Sequence, residues 1–363
     1  MTFDLVLVGF GNVARRFVSL LREQRTTLQR DHGFTARIVG IATRRHGHFF
    51  SPRGIEMTSS DPLPPNVVSG FSRTSRSTVD FIHDVIKRRA HIARDGRLVL
   101  VETTTLDAES GQPATDHVRA ALAGGAHVVT ANKGPVAFAY HDLARRAERA
   151  HRRFLFEGAV MDGIPLFNLV RETMPAVTIA GFRGVVNSTT NFMLTAMEEG
   201  RPFEEALAEM QAAGIAEADP SLDVDGWDAA AKAAALANVL LGARLTPRTV
   251  ERQGITPDIA SRAVNARQVG RRVKLVARAG HEGARITARV APEELREDDL
   301  LAGLEGQQNA IIFYTDLLGE VAIVQRGGGL TQTAYALVSD LVTIARSGNP
   351  PRPRSRASRQ SRR

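Results

Sequence analysis

Phe3-Asp4-Leu5-Val6-Leu7-Val8-Gly9-Phe10-Gly11-Asn12-Val13-Ala14 lies at the start of the 363-residue chain. Phe3 to Val8 is a short apolar run, and a helical pattern continues from Ala14 through Leu21, so the segment reads as strand, glycine turn, helix. Each small residue has a task in that arrangement. Gly9 makes the tight turn, Gly11 lets the backbone approach a pyrophosphate, and Ala14 lets the helix pack closely on the strand. The amides of Asn12 and Val13 then point at phosphate oxygens, which makes Gly9, Phe10, Gly11, Asn12 and Val13 the candidate cofactor turn. A lone glycine pattern also fits a plain tight turn; its place between an apolar strand and a helix favours dinucleotide binding.

Working outward, the second strand is expected at Ala36 to Ala42. A ribose-binding acid would follow it if the cofactor were NAD, but the chain offers Thr43-Arg44-Arg45. Arg44 and Arg45 suit a 2′-phosphate, so NADP is the expected cofactor with NAD left open; two surface arginines are the alternative. Further strands at Leu98 to Val101 and His127 to Thr130, with a helix from Thr115 to Ala123 between them, give the alternation of a Rossmann-type, doubly wound parallel sheet. Thr103 and Thr104 then sit at a strand's carboxyl end, where ligands bind in such sheets. Thr130-Ala131-Asn132-Lys133-Gly134-Pro135 also follows a strand and brings Lys133 toward the same crevice, although alone it would be only a loop cation.

After Phe154 to Phe156 the pattern changes. Glu157 to Pro165 is a glycine-containing loop, Val177 to Asn187 reads as a long strand, and helices are expected at 190–199 and 203–213. Strands at 272–279, 284–291, 309–315 and 320–325 form a mostly antiparallel or mixed sheet with helices on one side. The chain is therefore α/β: a dinucleotide-binding domain at 1–157, completed by a helix at 330–348, and an α+β substrate and dimerisation domain at 158–329. Gly327-Gly328-Gly329 before the last helix invites close approach by a ligand.

Chemistry concentrates in Gly214 to Lys232, where five acids precede one lysine. Pro220, Gly226 and the short acids make the first half an irregular loop. From Trp227 to Leu241, alanine, leucine, asparagine and valine read as a buried helix. Asp228 and Lys232 stand four apart on one face of it, which equally describes an ordinary ion pair; the acid-rich loop and the burial of the lysine favour function.

Composition excludes several classes. Without cysteine there is no disulfide framework, no thiolate metal ligand and no thiol nucleophile. No apolar run has the length to span a bilayer and no signal peptide is evident, so a cytoplasmic location is expected. The formal charge of +8 is misleading, because residues 350–363 carry six arginines and no acid. The body is close to neutral, the segment 349–363 reads as a disordered basic tail, and neither nucleic acid nor membrane is an expected partner.

GFGNVA, TANKGP, EGAVMDGIP, NSTTNF (187–192), GIAEADPSLDVDGWDAAAK and GGGLTQTAYALVSDLVTIA together resemble the homoserine dehydrogenase family over residues 3–346. The resemblance implies interconversion of L-aspartate 4-semialdehyde and L-homoserine with NAD(P), in the aspartate route to threonine, methionine and isoleucine. It places Glu217 and Asp228 as ligands of the substrate's amino group, Asp223 as a further acid, Lys232 as proton donor and Lys133 beside substrate and nicotinamide. Thr104 and Gly329 fall at cofactor contacts. The carbonyls of Glu157, Val160, Asp162 and Ile164 fall where the family holds a monovalent cation, sodium by expectation. A homodimer is the expected assembly.

Three departures matter. Met161 and Asp162 stand where many members have glycine, which predicts an altered cation loop. Ser188 replaces a common glycine. The chain ends after the last helix, so no C-terminal regulatory domain and no response to threonine are expected. The residues agree with the implied chemistry: an ammonium-bearing substrate needs carboxylates, and aldehyde reduction needs a hydride plus a proton or positive charge at the developing alkoxide. Burial would lower the pKa of Lys232 and its acids would raise it, so its net position stays open here. A semialdehyde dehydrogenase working through a cysteine thioester is excluded by the absence of cysteine; a non-turning-over dinucleotide-binding sensor of a small amino acid is the alternative of a different class.

Overall fold

A computed structural model describes residues 1–56, 77–212 and 220–348. Strand β1 (Thr2–Val8) pairs in parallel with both β2 (Thr35–Thr43) and β4 (Leu98–Glu102), which is where the strand order reverses. Outward from β4 come β5 (His127–Thr130) and the two-residue β6 (Phe154–Leu155), both parallel. On the other edge β3 (Gly47–Phe50) folds back antiparallel on β2, giving the order β3-β2-β1-β4-β5-β6. Strands β1, β4 and β5 are buried throughout apart from Thr2, as continuous apolar strands covered on both faces must be.

The helix Leu330–Gly348 returns to this sheet. Its Ala334, Leu337, Leu341 and Ile344 share a core with Phe3, Leu5 and Leu7 of β1 and Phe17 of the first helix, Asn12–Glu23. This helix therefore packs in the same layer as the first helix.

The second sheet has the order β12-β11-β7-β9-β10-β8 and is antiparallel except at the β8–β10 edge. Its strands are β7 (Ile179–Val185), β8 (Glu251–Arg252), β9 (Arg271–Glu282), β10 (Arg285–Arg296), β11 (Asn309–Thr315) and β12 (Gly319–Gln325). One face packs Phe182, Val273, Leu275 and Ala277 against the helices Trp227–Leu240 and Asp258–Gln268. Leu301, Ala302 and Leu304 cover part of the other.

Three sequence expectations need correction. The strand expected to run to Asn187 stops at Val185, because Asn187 caps the next helix, Ser188–Glu198, accepting from the Thr190 amide at 2.8 Å. Strand β10 runs on through Pro292 to Arg296; β8 pairs only Arg289 and Val290, so the proline lies on a free edge where its missing N–H costs nothing. The loop before Trp227 contains one helical turn, Ser221–Val224, closed by Gly226 at φ 78°. The expected tail at 349–363 and much of the acidic stretch, 213–219 with Glu217, lie outside the described residues.

Candidate functional site

The glycine turn is built as its residues require. Gly9 has φ 87°, and a Cβ there would lie 2.8 Å from the Thr103 backbone at the end of β4. Gly11 faces open space, and no side chain caps the Asn12–Glu23 helix that follows it, so the first amides of that helix are left for a ligand. Together with Phe10, Arg44, Arg45, Thr103, Thr104 and His117 this turn lines a cavity of about 820 Å³ at the β1–β4 reversal. Arg44 and Arg45 are exposed among its lining residues, and no carboxylate lines it among the described residues.

The second half of the site forms where two helices begin. Lys133 immediately precedes the helix Gly134–Arg149, and Asp228 lies in the first turn of Trp227–Leu240, whose alanines at 229–231, 233–235 and 237 are buried. Asn238 binds the two helices together, its Nδ2 donating to Ala137 O at 3.2 Å. At their near ends the Lys133 Nζ reaches Asp228 Oδ1 at 2.7 Å, and Lys232 Nζ lies 2.9 Å from Asp228 Oδ2. Lys232 also donates to Val186 O at 2.7 Å, which holds its ammonium at the end of β7. Asn187 Nδ2 bridges Asp223 Oδ1 at 2.7 Å and Asp228 Oδ2 at 2.9 Å. One carboxylate thus carries two lysines and an amide, with all three ionised side chains less than one-fifth exposed.

Electrostatics follow from this packing. Burial pushes Asp228 toward the neutral acid, but Lys133 and Lys232 outweigh it and hold the carboxyl far below the usual range. Burial opposes the charge on Lys232, yet Asp228, Asp162 and Asp223 leave its pKa raised, which resolves the balance left open by the sequence. Asp223 is raised, first by burial and then by the like charge of Asp228. Lys232 is therefore a held ammonium at neutral pH.

The third part is the loop from Glu157 to Ile164. The Glu157 carboxylate turns away from it to cap the Phe167–Thr173 helix, accepting from the amides of Leu166, of Phe167 at 2.8 Å and of Asn168 at 2.7 Å. Met161 and Asp162 adopt φ 53° and 48°, followed by Gly163 at 84°. The two side-chain-bearing residues take the left-handed backbone that glycine adopts freely, a conformation costly for Met and easier for Asp. Ser188, by contrast, needs no glycine geometry, being the first residue of its helix and accepting from Asn309 Nδ2 at 2.8 Å. Gly329 sits at φ 154°, and a Cβ on Gly328 would fall 2.5 Å from Asp162 Oδ2, so the triple glycine passes directly over this loop.

The structure thus gathers Lys133, Asp223, Asp228 and Lys232 into one cluster, and Gly9 to Gly11, Arg44, Arg45 and Thr104 into one cavity. Sequence reasoning gave no role to Asn187, although asparagine before Ser-Thr-Thr is a legible helix cap. It also passed over Glu102, a buried acid ending an apolar strand.

Comparison with known proteins agrees. The family model described as homoserine dehydrogenase matches residues 165–342, and that described as homoserine dehydrogenase, NAD binding domain, matches residues 9–157. The NAD(+)-dependent homoserine dehydrogenase of Pseudomonas canavaninivorans is 37% identical over 346 residues, covering 95% of this chain and 97% of that one. The homoserine dehydrogenase of Methanocaldococcus jannaschii is 33% identical over 95% of this chain and 99% of its own length. Among solved structures, a homoserine dehydrogenase from Thiobacillus denitrificans superposes with a TM-score of 0.78 at 30% identity, covering 95% of this chain and 74% of that one.

Proposed function

From the premise that the chain belongs to the homoserine dehydrogenase family, and so is an NAD(P)-dependent oxidoreductase interconverting L-aspartate 4-semialdehyde and L-homoserine, we propose how its residues divide the reaction. The observation that carries the proposal is the placement of two ammonium groups on one buried carboxylate. In the reducing direction a bound nicotinamide supplies hydride to the aldehyde carbon. Lys232 and Lys133 face the oxygen that gains negative charge, and Lys232 gives it a proton; in the oxidising direction the proton returns. Asp228 holds both lysines in place. With its two oxygens taken by Lys133, Lys232 and Asn187, the substrate's ammonium is shared with Asp223 and Glu217.

A dinucleotide would be held in the β1–β4 cavity by Gly9 to Gly11 and the amides of Asn12 and Val13, with Thr104 and Gly329 as further contacts. Arg44 and Arg45 take the 2′-phosphate of NADP; the name of the Pseudomonas relative favours NAD instead. Replacing both arginines with neutral residues is expected to weaken NADP by roughly 1.5–3 kcal/mol and leave NAD nearly unchanged. Equal losses, or better use of NAD by the unmodified protein, contradict the NADP reading.

A monovalent cation at the 157–164 loop would be held by the carbonyls of Glu157, Val160 and Asp162, since the Glu157 carboxylate is occupied by three amides; the fourth carbonyl of the set, Ile164, already accepts from the Leu166 amide at 2.7 Å. Residues 1–157 with 330–348 form the dinucleotide unit, and 158–329 the substrate and homodimer unit. No described helix is long and apolar enough to cross a membrane, and the cytoplasm is the proposed location. Reduced nicotinamide formation from L-homoserine with NAD and NADP side by side tests the whole reading. Binding of dinucleotide without turnover supports a sensor instead.

A further inference from the structure

Strand β4 ends on a buried carboxylate that the proposed reaction leaves unused. Glu102 is fully buried and accepts from the Thr104 amide at 3.2 Å, from the Thr104 hydroxyl, and from the Thr130 hydroxyl at 3.2 Å. The nearest ionisable group is His117, whose buried Nδ1 stands 3.7 Å away with no hydrogen-bond partner among the described residues. Burying a carboxylate without a close fixed cation is costly, so these donors make the site specific to an acid. Every group facing Glu102 in hydrogen-bond range donates, and a carboxylate is the side chain that answers all of them with acceptors.

Those donors connect the two halves of the site. Thr104 lines the cofactor cavity. The Thr130 oxygen accepts from the Asn132 amide at 2.9 Å, and Asn132 in turn spans the crevice: its Nδ2 donates to Thr104 O at 3.0 Å and Thr105 O at 3.2 Å, while its Oδ1 accepts from the Gly134 amide at 2.8 Å. Lys133 lies between Asn132 and Gly134, and its Nζ ends on Asp228. A continuous chain of hydrogen bonds therefore runs from Glu102 through Thr130 and Asn132 to the backbone on both sides of Lys133.

We propose that Glu102 is a positioning residue for hydride transfer, fixing the ends of β4 and β5 so that Thr104 faces the dinucleotide while Lys133 reaches the reacting oxygen. The inference rests on the assignment of Lys133 to the reaction. It acts through placement: Glu102 touches neither substrate nor cofactor, and its loss shifts the lysine while leaving the acids that hold the substrate's ammonium where they are.

A double-mutant cycle tests this. Wild type, Glu102→Gln, Lys133→Ala and the double variant are compared for kcat and for KM of L-homoserine, with dinucleotide affinity read from NADH fluorescence. Glu102→Gln is expected to lower kcat roughly 10- to 10²-fold, the scale of a catalytic group displaced by about an ångström, with KM for homoserine close to wild type. The double variant is expected to be no slower than Lys133→Ala alone. A Glu102→Gln enzyme with wild-type kcat, or losses that multiply in the double variant, overturns the proposal. If Glu102→Gln does not fold, Thr130→Val, which cuts one link of the chain, goes through the same cycle and the same outcomes decide. A Lys133→Ala enzyme with full kcat overturns the Lys133 assignment and this inference with it; costly Lys133→Ala with multiplying losses overturns this inference alone.

Discussion

Two of the groups of acids withdrawn from water in this protein are held in opposite states. Asp228 has two lysines on its oxygens and stays ionised far below the usual carboxylate range. Asp340, on the last helix, is still more deeply buried, at 1% exposure against 14% for the Asp228 side chain, and faces the Glu157 amide at 3.0 Å and Asn168 Nδ2 at 3.5 Å. Burial, and then the like charge of Glu157, push its carboxyl well above the usual range, and burial raises Glu157 as well. The residue types match, and both carboxyls are largely withdrawn from water. What differs is whether a cation or another acid stands opposite, and this separates an acid that holds two lysines from one that joins a helix to a loop.

The largest effect expected from breaking this contrast is on stability. Asp228→Ala removes the carboxylate that both lysines bond and is expected to cost about 3–5 kcal/mol, the scale for removing one partner of a buried ion pair. Asp340→Asn keeps an acceptor for the Glu157 amide and removes a carboxyl already biased toward its neutral form, so about 1 kcal/mol or less is expected. Urea unfolding of both variants checks the pair, and equal costs would erase the distinction.

A smaller effect, but one of opposite sign, appears with pH. The folded pKa of Asp228 is depressed, so its contribution is present above the unfolded value of about 3.9 and is lost as pH falls below it. That of Asp340 is raised, so its contribution is full below about pH 3.9 and fades as pH rises through the folded value. From acid toward neutral pH, the stability difference between wild type and Asp228→Asn is therefore expected to grow, and that between wild type and Asp340→Asn to shrink. Parallel slopes in pH-dependent urea titrations would contradict the assignment.

Much of the fold was legible because its signals are local. The apolar run before Gly9, the small residues at 11 and 14 and the strand–helix alternation after them specify the parallel sheet, and the helical spacing of Asp228 and Lys232 places them on one face. The Lys133–Asp228 contact was not legible in spacing, since the two residues are 95 apart and meet only because their helices pack. Family resemblance grouped them, and geometry supplied the reason. Asn187 was hidden inside a predicted strand, and Glu102 at the end of a predicted strand drew no notice, because a buried acid is recognised by the donors around it. The fold-back of β3 on β2 and the helices at 134–149 and 258–268 were also missed, because Gly134-Pro135 and Pro257 at the helix starts read as turn residues.

The central claim is that Lys232, held as an ammonium by Asp228, moves the proton. Steady-state oxidation of L-homoserine by wild type and Lys232→Ala, with dinucleotide binding measured alongside, tests it most directly. The account predicts a fall in kcat of about 10²-fold or more with cofactor affinity unchanged. A Lys232→Ala enzyme that keeps nearly full kcat would remove Lys232 from the mechanism and leave Lys133 to handle the proton.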